Sequence, residues 1–256
     1  MVVEVPSDRR GELLPLFDSH PYLHALSEAL LKEKLGQAFS DNLESPHVVL
    51  LLYRGLVFIS GDASHMSVDD LLGKIPEKWF IIPPPGAWED KLKQTWGDSL
   101  KSLQRTKFSS ENLDARKMME IQSNLPNGME IERVTIDSIN EISQQAKQVI
   151  SLIFPSLEVF MEKNFGFLIR ENEKIVSLAL AASPIYSNEF EIHIETHPDY
   201  QKRGLALISA AKLIQYSLEH GLIPHWDAEN HPSAKLATRL GFTEPEVYNG
   251  YYWVKG

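Results

Sequence analysis

A chain of 256 residues, 43% hydrophobic and 23% charged, can bury one large core or two of ordinary size, and this composition excludes a disordered polypeptide. A formal net charge of −10 repels a phosphate backbone and no basic stripe offsets it, so nucleic acid is not expected as a partner. The absence of cysteine removes disulfides, thiolate nucleophiles and cysteine metal sites together, leaving His, Glu, Asp, Ser and Tyr for any chemistry.

Residues 1–12 carry charges and a proline rather than an apolar stretch behind a basic start, so no signal peptide is expected. A helix is predicted where Tyr22, Leu23, Leu26, Leu30 and Leu31 recur at helical spacing. Residues 48–53 and 56–60 read as strands of a hairpin around Arg54-Gly55. The first of these is the longest apolar run and far too short to span a bilayer. A cytoplasmic protein with no membrane partner is therefore expected. A short helix over 68–73, a strand over 79–82 stopped by Pro83-Pro84-Pro85-Gly86, and a helix over 88–92 follow. From there to Met119 the chain is polar and charge-rich, with no catalytic spacing. Leu125-Pro126-Asn127-Gly128 breaks both helix and strand. It sets the expected boundary between an N-terminal α/β domain, 1–126, and a second domain, 127–256.

The second half alternates more clearly. A strand over 129–134 is followed by helices over 138–150 and 156–163, then by strands over 165–170 and 175–182 joined by a Glu171-Asn172-Glu173-Lys174 turn. A strand over 189–196 leads into a helix over 203–219. Leu207, Ala210, Ala211, Ile214 and Leu218 form its apolar face, and Gly221 stands at the usual stop position. A strand over 222–228, a short helix over 233–240 and an aromatic strand over 247–254 complete the chain.

The turn His197-Pro198-Asp199-Tyr200 and the helix that opens after it carry the most information. The first N–H groups of a helix lack internal partners, and the helix dipole adds partial positive charge there, so an anion such as a diphosphate fits. Gly204 allows close approach to the backbone, and Lys202 and Arg203 add local charge. A plain helix start with a permissive glycine is the alternative. Gln201-x-x-Gly204-x-Ala206 after a strand resembles the acetyl-CoA signature of the GNAT acetyltransferases. Asn230-His-Pro-Ser233 leading to Leu240-Gly241-Phe242 is similar to the second signature of that family. Both occur in family order, and the resemblance covers residues 129–253. The phrase Pro224-His-Trp226-Asp227-Ala-Glu-Asn230 further resembles a bacterial GNAT subfamily with a long N-terminal extension, which includes antibiotic-resistance acetyltransferases.

The resemblance implies an α/β (α+β) fold with a mixed, mostly antiparallel central sheet flanked by helices. The extension would be a second, degenerate acyltransferase-like half. Acetyl-CoA is the implied co-substrate, with no metal. Backbone amides of Gln201, Lys202, Arg203, Gly204, Leu205 and Ala206 would hold its diphosphate, and the backbone of Ile194 and Thr196 would pair with the pantetheine arm. Asn230, with Ser233 beside it, would bind the pantetheine, cap the following helix, or do both. The implied reaction is direct acetyl transfer to an amine, most simply that of a small cationic molecule, with a protein N-terminus or lysine as alternatives. Transfer of a longer acyl or aminoacyl group is a further alternative. A homodimer is compatible with the sequence, which does not fix the oligomeric state.

Two features depart from or extend the family pattern. The tyrosine that protonates the departing thiolate in many members, seven residues after the Asn, is Ala237 here. Tyr248, Tyr251 and Tyr252 are substitutes, or simply packing. Loss of this acid leaves open a sensor that binds acyl-CoA without turning it over. On the strand over 189–196, Glu191, His193 and Glu195 share one face. That face is either solvated or an acidic cleft that attracts an ammonium group and removes its proton, with Glu191 and His193 the first candidates and Glu195 the third. His225, Asp227 and Glu229 form a second polar alternation, able to bind an acceptor and only loosely spaced for a metal.

Overall fold

Val48–Tyr53 is buried at every position, as a strand covered on both faces requires. It lies at the centre of the first of two units into which the chain divides. The computed structural model describes residues 2–255, and its contacts separate Met1–Arg105 with Val247–Gly256 from Thr106–Glu246. Among the described residues no helix is long and apolar enough to cross a membrane.

The first unit contains β1 (Val3–Glu4), α1 (Leu14–Phe17), α2 (His24–Lys32), β2 (Gln37–Ser40), β3 (Val48–Tyr53), β4 (Leu56–Gly61), α3 (Val68–Leu72), β5 (Phe80–Ile82) and α4 (Ala87–Trp96). Strands β1 to β4 are antiparallel neighbours in chain order. β5 returns through α3 to lie parallel to β4. Beyond β5, Tyr251 from the last strand pairs antiparallel with Ile81. Leu50, Leu52, Val57 and Ile59 pack with Leu71, Leu72, Trp88 and Tyr251 to form the core. Tyr251 also donates to Glu89 at 2.9 Å, and Tyr248 stacks on Tyr22 with centroids 3.8 Å apart.

The second unit takes up the end of β6 (Leu100–Ser109), then α5 (Ala115–Gln122), β7 (Met129–Arg133), α6 (Gln144–Ile153), α7 (Leu157–Lys163), β8 (Gly166–Glu171), β9 (Lys174–Ala181), β10 (Glu189–Thr196), α8 (Leu205–Glu219), β11 (Ile223–Ala228), α9 (His231–Leu240) and the start of β12 (Thr243–Trp253). Strands β7 to β10 are antiparallel neighbours, β11 returns through α8 to lie parallel to β10, and β6 pairs antiparallel with β11. The sheet is thus mixed and mostly antiparallel, with helices on its faces, as expected. Each unit repeats one topology: four antiparallel strands, a helical crossover to a parallel fifth, and an antiparallel sixth. The sixth strand of each is supplied from a distant part of the chain.

Three expectations change. Residues 100–109 form a strand and 115–122 a helix where the sequence reads as a polar passage, because the end of β6, 106–108, is fixed by backbone pairing with β11 and only Phe108 of the strand is buried. The helix expected over 138–150 is a 3-10 turn at Ser138–Asn140 followed by α6, which starts at Gln144 behind the capping side chain of Ser143. The division of contacts also differs from the boundary expected at residues 126–127. Met118 is fully buried among Leu207, Ala210, Ala211 and Ile214 of α8, so α5 belongs to the second unit although it precedes Pro126. Gly128 does turn the chain, at φ +81°, but within that unit.

Met118→Ala leaves a cavity between α5 and α8 and should lower stability by about 2–5 kcal/mol, measured by urea denaturation. A loss below about 0.5 kcal/mol, typical of a surface site, would contradict this packing.

Candidate active site

β10 and β11 run parallel for three residue pairs and then part. Their ladder joins Glu189, Phe190 and Glu191 to Ile223, Pro224 and His225; from Trp226 onward β11 pairs with β6 by its other edge. β10 continues along β9 to Thr196. In that antiparallel ladder Ala182 N–H donates to the carbonyl of Glu191, and His197 N–H to that of Val176. Odd-numbered residues therefore turn their backbone polar groups toward β9, and even-numbered ones turn theirs the other way. Ile192, Ile194 and Thr196 face the gap that β11 leaves. The carbonyl of Thr196 accepts a bond from the Gln201 side chain at 3.4 Å.

The gap ends at the turn expected to hold an anion. His197 caps the 3-10 turn Pro198–Tyr200, and Gly204 caps the 15-residue α8 with φ +82°. A left-handed cap of this kind selects glycine. Lys202 is also left-handed, at φ +62°, so two residues of one short turn leave the right-handed region, as in backbone concavities that bind anions. The β8–β9 hairpin braces the turn. Tyr200 Oη donates to Glu171 at 2.7 Å, Arg203 lies 3.7 Å from the same carboxylate, and the Arg203 guanidinium stands 5.0 Å from the Tyr200 ring centroid.

Side chains on the two faces of β10 meet different surroundings. Phe190 is fully buried, and Ile192 and Ile194 pack with Leu213 of α8. The opposite face carries Glu191, His193 and Glu195, all of them partly buried rather than openly solvated. His193 and Glu195 lie across from Leu180 and Leu178 of β9, which pack under α6 and α7. His193 Nε2 is buried without a hydrogen-bond partner among the described residues, 3.9 Å from Glu195 Oε2. Burial pushes the imidazole below the ordinary histidine value, against the pull of Glu195. Ser143 Oγ accepts from Ala146 N–H at the start of α6 and donates to Glu195 Oε2 at 2.8 Å. The helix end thus fixes the carboxylate that stands beside His193. A cavity of about 310 Å³ opens here, lined by Glu141, Ser143, Glu173, Lys174, Glu195 and His197 among others.

Other expected residues take mixed roles. Asn230 Oδ1 caps α9 by accepting from Ser233 N–H, and Ser233 Oγ accepts from Trp226 Nε1. Ala237 is fully buried in the core with Trp226 and Phe242. Tyr248 and Tyr251 are engaged in the first unit, as described above. His225 shares a face with Glu191 and bonds Glu189 at 3.0 Å; burial lowers its pKa, but Glu189 and Glu191 together raise it above the ordinary value. The roles of Ser143 and Glu189 escape sequence reading, since each bond spans more than thirty residues.

The sequence profile of the GNAT acetyltransferase family matches residues 15–251. The chain is 25% identical over 260 residues to the uncharacterized N-acetyltransferase YdfB of Bacillus subtilis (strain 168), covering 97% of each. It is similar in fold to a GCN5-related N-acetyltransferase-like protein from Streptococcus suis 89/1591, with a TM-score of 0.78, 24% identity, and 97% and 99% of the two chains covered. A tandem GNAT protein from the clavulanic acid biosynthesis pathway superimposes with a TM-score of 0.62 at 10% identity, covering 99% and 98%.

Because the folded pKa of His193 is depressed, this residue favours folding above the unfolded value of about 6.5, and that contribution is lost as pH falls through the folded pKa. Ring-proton NMR should show His193 titrating below the ordinary range, and Glu195→Gln should move it lower still. A titration at or above the ordinary value would contradict the burial account.

Proposed function

The chain belongs to the GNAT acetyltransferase family, and on that premise we propose that it transfers an acetyl group from acetyl-CoA to the primary amine of a small cationic molecule by direct attack. The observation that carries this reading is the gap between β10 and β11, which ends on the left-handed turn at Lys202 and Gly204. The N–H groups from Lys202 to Ala206, at the positive end of α8, suit the coenzyme diphosphate. Ile194 and Thr196 suit the pantetheine arm, which adds to the open edge of β10 as a strand would. Asn230 keeps its amide nitrogen and Ser233 its hydroxyl hydrogen for the same arm, since their helix-cap and Trp226 bonds use only acceptor oxygens.

An ammonium acceptor must lose a proton before it attacks. His193 Nε2 takes that proton by way of Glu195, which lies 3.9 Å away and lines the cavity, since Nε2 itself is buried and its lowered pKa keeps the ring neutral. Glu195, held by Ser143, positions the ring, and Glu191 is the next candidate base. The amine nitrogen then bonds to the acetyl carbon, an N–H of β10 at the gap polarises the carbonyl, and the carbon–sulfur bond breaks as the nitrogen gives up its second proton to solvent. Coenzyme A leaves as a thiolate and draws its proton from solvent, since Ala237 offers none. A cavity of about 310 Å³ suits a small acceptor, and Glu141, Glu173 and Glu195 around it outnumber Lys174 and favour a cation. We read the first unit as a second, degenerate acyltransferase-like half, on the strength of its matching strand order. Burial of Ala237 favours one other reading, an acyl-CoA sensor without turnover.

The absence of cysteine gives a thiol-release assay no protein background. With acetyl-CoA and a panel of cationic primary amines, amine-dependent thiol release is expected. His193→Gln should lower turnover by about 10²–10⁴-fold, with coenzyme affinity nearly unchanged. Tight coenzyme binding with no release under any acceptor would favour the sensor. Undiminished turnover in both His193→Gln and Glu191→Gln would remove these residues as bases.

A further inference from the structure

In the first unit, residues 62–67 connect β4 to α3 and occupy the place that the Gln201–Gly204 turn takes in the second unit. The chemistry there is opposite in sign. Instead of Lys202 and Arg203 the connection carries Asp62 and His65, and the β2–β3 hairpin beside it brings Asp41 and His47. Asp41 is almost wholly buried, with 5% of its side chain exposed. Its Oδ1 accepts from the backbone N–H groups of His47 and Val48 and from Ser40 Oγ. These bonds fix the carboxylate and turn Oδ2 toward two imidazoles. His47 Nδ1 lies 2.9 Å from Oδ2 and His65 Nε2 lies 3.6 Å from it. All three atoms fall within 4.8 Å of one another, and the rings are parallel to within 7°.

The longer spacing is too great for a hydrogen bond. It does match the edge of a tetrahedron around a metal, about 3.4 Å when bonds are about 2.0–2.2 Å. Two nitrogens and one oxygen are a donor set that suits zinc-class cations, and the bonds to Oδ1 are the outer support such sites require. We propose that Asp41, His47 and His65 bind a divalent zinc-class cation through Oδ2, Nδ1 and Nε2, stapling the β2–β3 hairpin to the β4–α3 connection. His47 is 56% exposed, so a fourth position opens to water. Ser67 N–H now donates to His65 Nδ1 at 3.3 Å. A metal on Nε2 moves the remaining ring proton to Nδ1, so this long contact breaks on loading.

Titration of the chelator-treated full chain with Co²⁺ tests the site, because tetrahedral Co²⁺ absorbs visible light strongly. One saturable equivalent displaced by Zn²⁺ is expected, together with a rise in thermal midpoint on adding Zn²⁺. His47→Gln and His65→Gln, checked for folding by circular dichroism, should each weaken binding at least tenfold and abolish the rise. No saturable band, or an undiminished band in the double variant, overturns the proposal. Neither readout uses acetyl transfer, so this result stands apart from the test of the reaction.

Discussion

Every backbone N–H and C=O in a sheet must find a partner, and β10 loses one of its two neighbours after Glu191. β11 turns away because its other edge is committed to β6 from Trp226 onward. The rest of the second unit is arranged around the edge left behind. α8 starts shortly after that edge ends, at Leu205 behind its Gly204 cap. α9 follows β11 and is capped by Asn230. His193 and Glu195 lie on the same strand with side chains facing away from Ile192 and Ile194, so the proposed proton removal and coenzyme binding would use different atoms of β10.

Electrostatics reinforce that division. The chain is strongly acidic, yet the start of α8 gathers Lys202 and Arg203 with Lys174 near Tyr200. Acidic side chains collect instead on the α6 side, at Glu141, Glu173 and Glu195. On the proposed reading, the basic turn and the acidic cavity, both near the C-terminal end of β10, would take the anionic coenzyme and the cationic acceptor separately. The balance at His193 is finer. Burial disfavours its charged form and Glu195 favours it, with burial the larger effect. Ser143 fixes the weaker partner, so movement of α6 would shift the balance.

Much of this is legible in the sequence, and the illegible parts share a cause. The helix carrying Leu207, Ala210 and Ile214, and the strand with Glu191, His193 and Glu195, announce themselves through strong side-chain periods. The α8 turn is legible because glycine at position 204 answers a backbone demand. β6 is hidden, since Lys101, Gln104 and Arg105 give it a polar surface while the pairing that fixes its end, Thr106 to Phe108, is with a segment over a hundred residues away. The parting of β10 from β11 leaves no mark either, because the alternation of residues 222–228 runs on unbroken through it. Unit boundaries fall inside β6 and β12, where composition does not change. Pro126-Asn127-Gly128 marks a real turn, which is a different thing from a boundary.

The first unit's sheet is finished by residues synthesised after the whole of the second. Until Tyr251 reaches Ile81, β5 presents a bare strand edge, the kind of surface on which chains pair with strangers. Vectorial synthesis normally lets an N-terminal domain close before the next emerges. Here the order is inverted: the second unit can close on the already emerged β6 while the first waits. The nascent chain therefore passes through a long interval in which its early half is translated but unclosed, and chaperone demand should fall on that half.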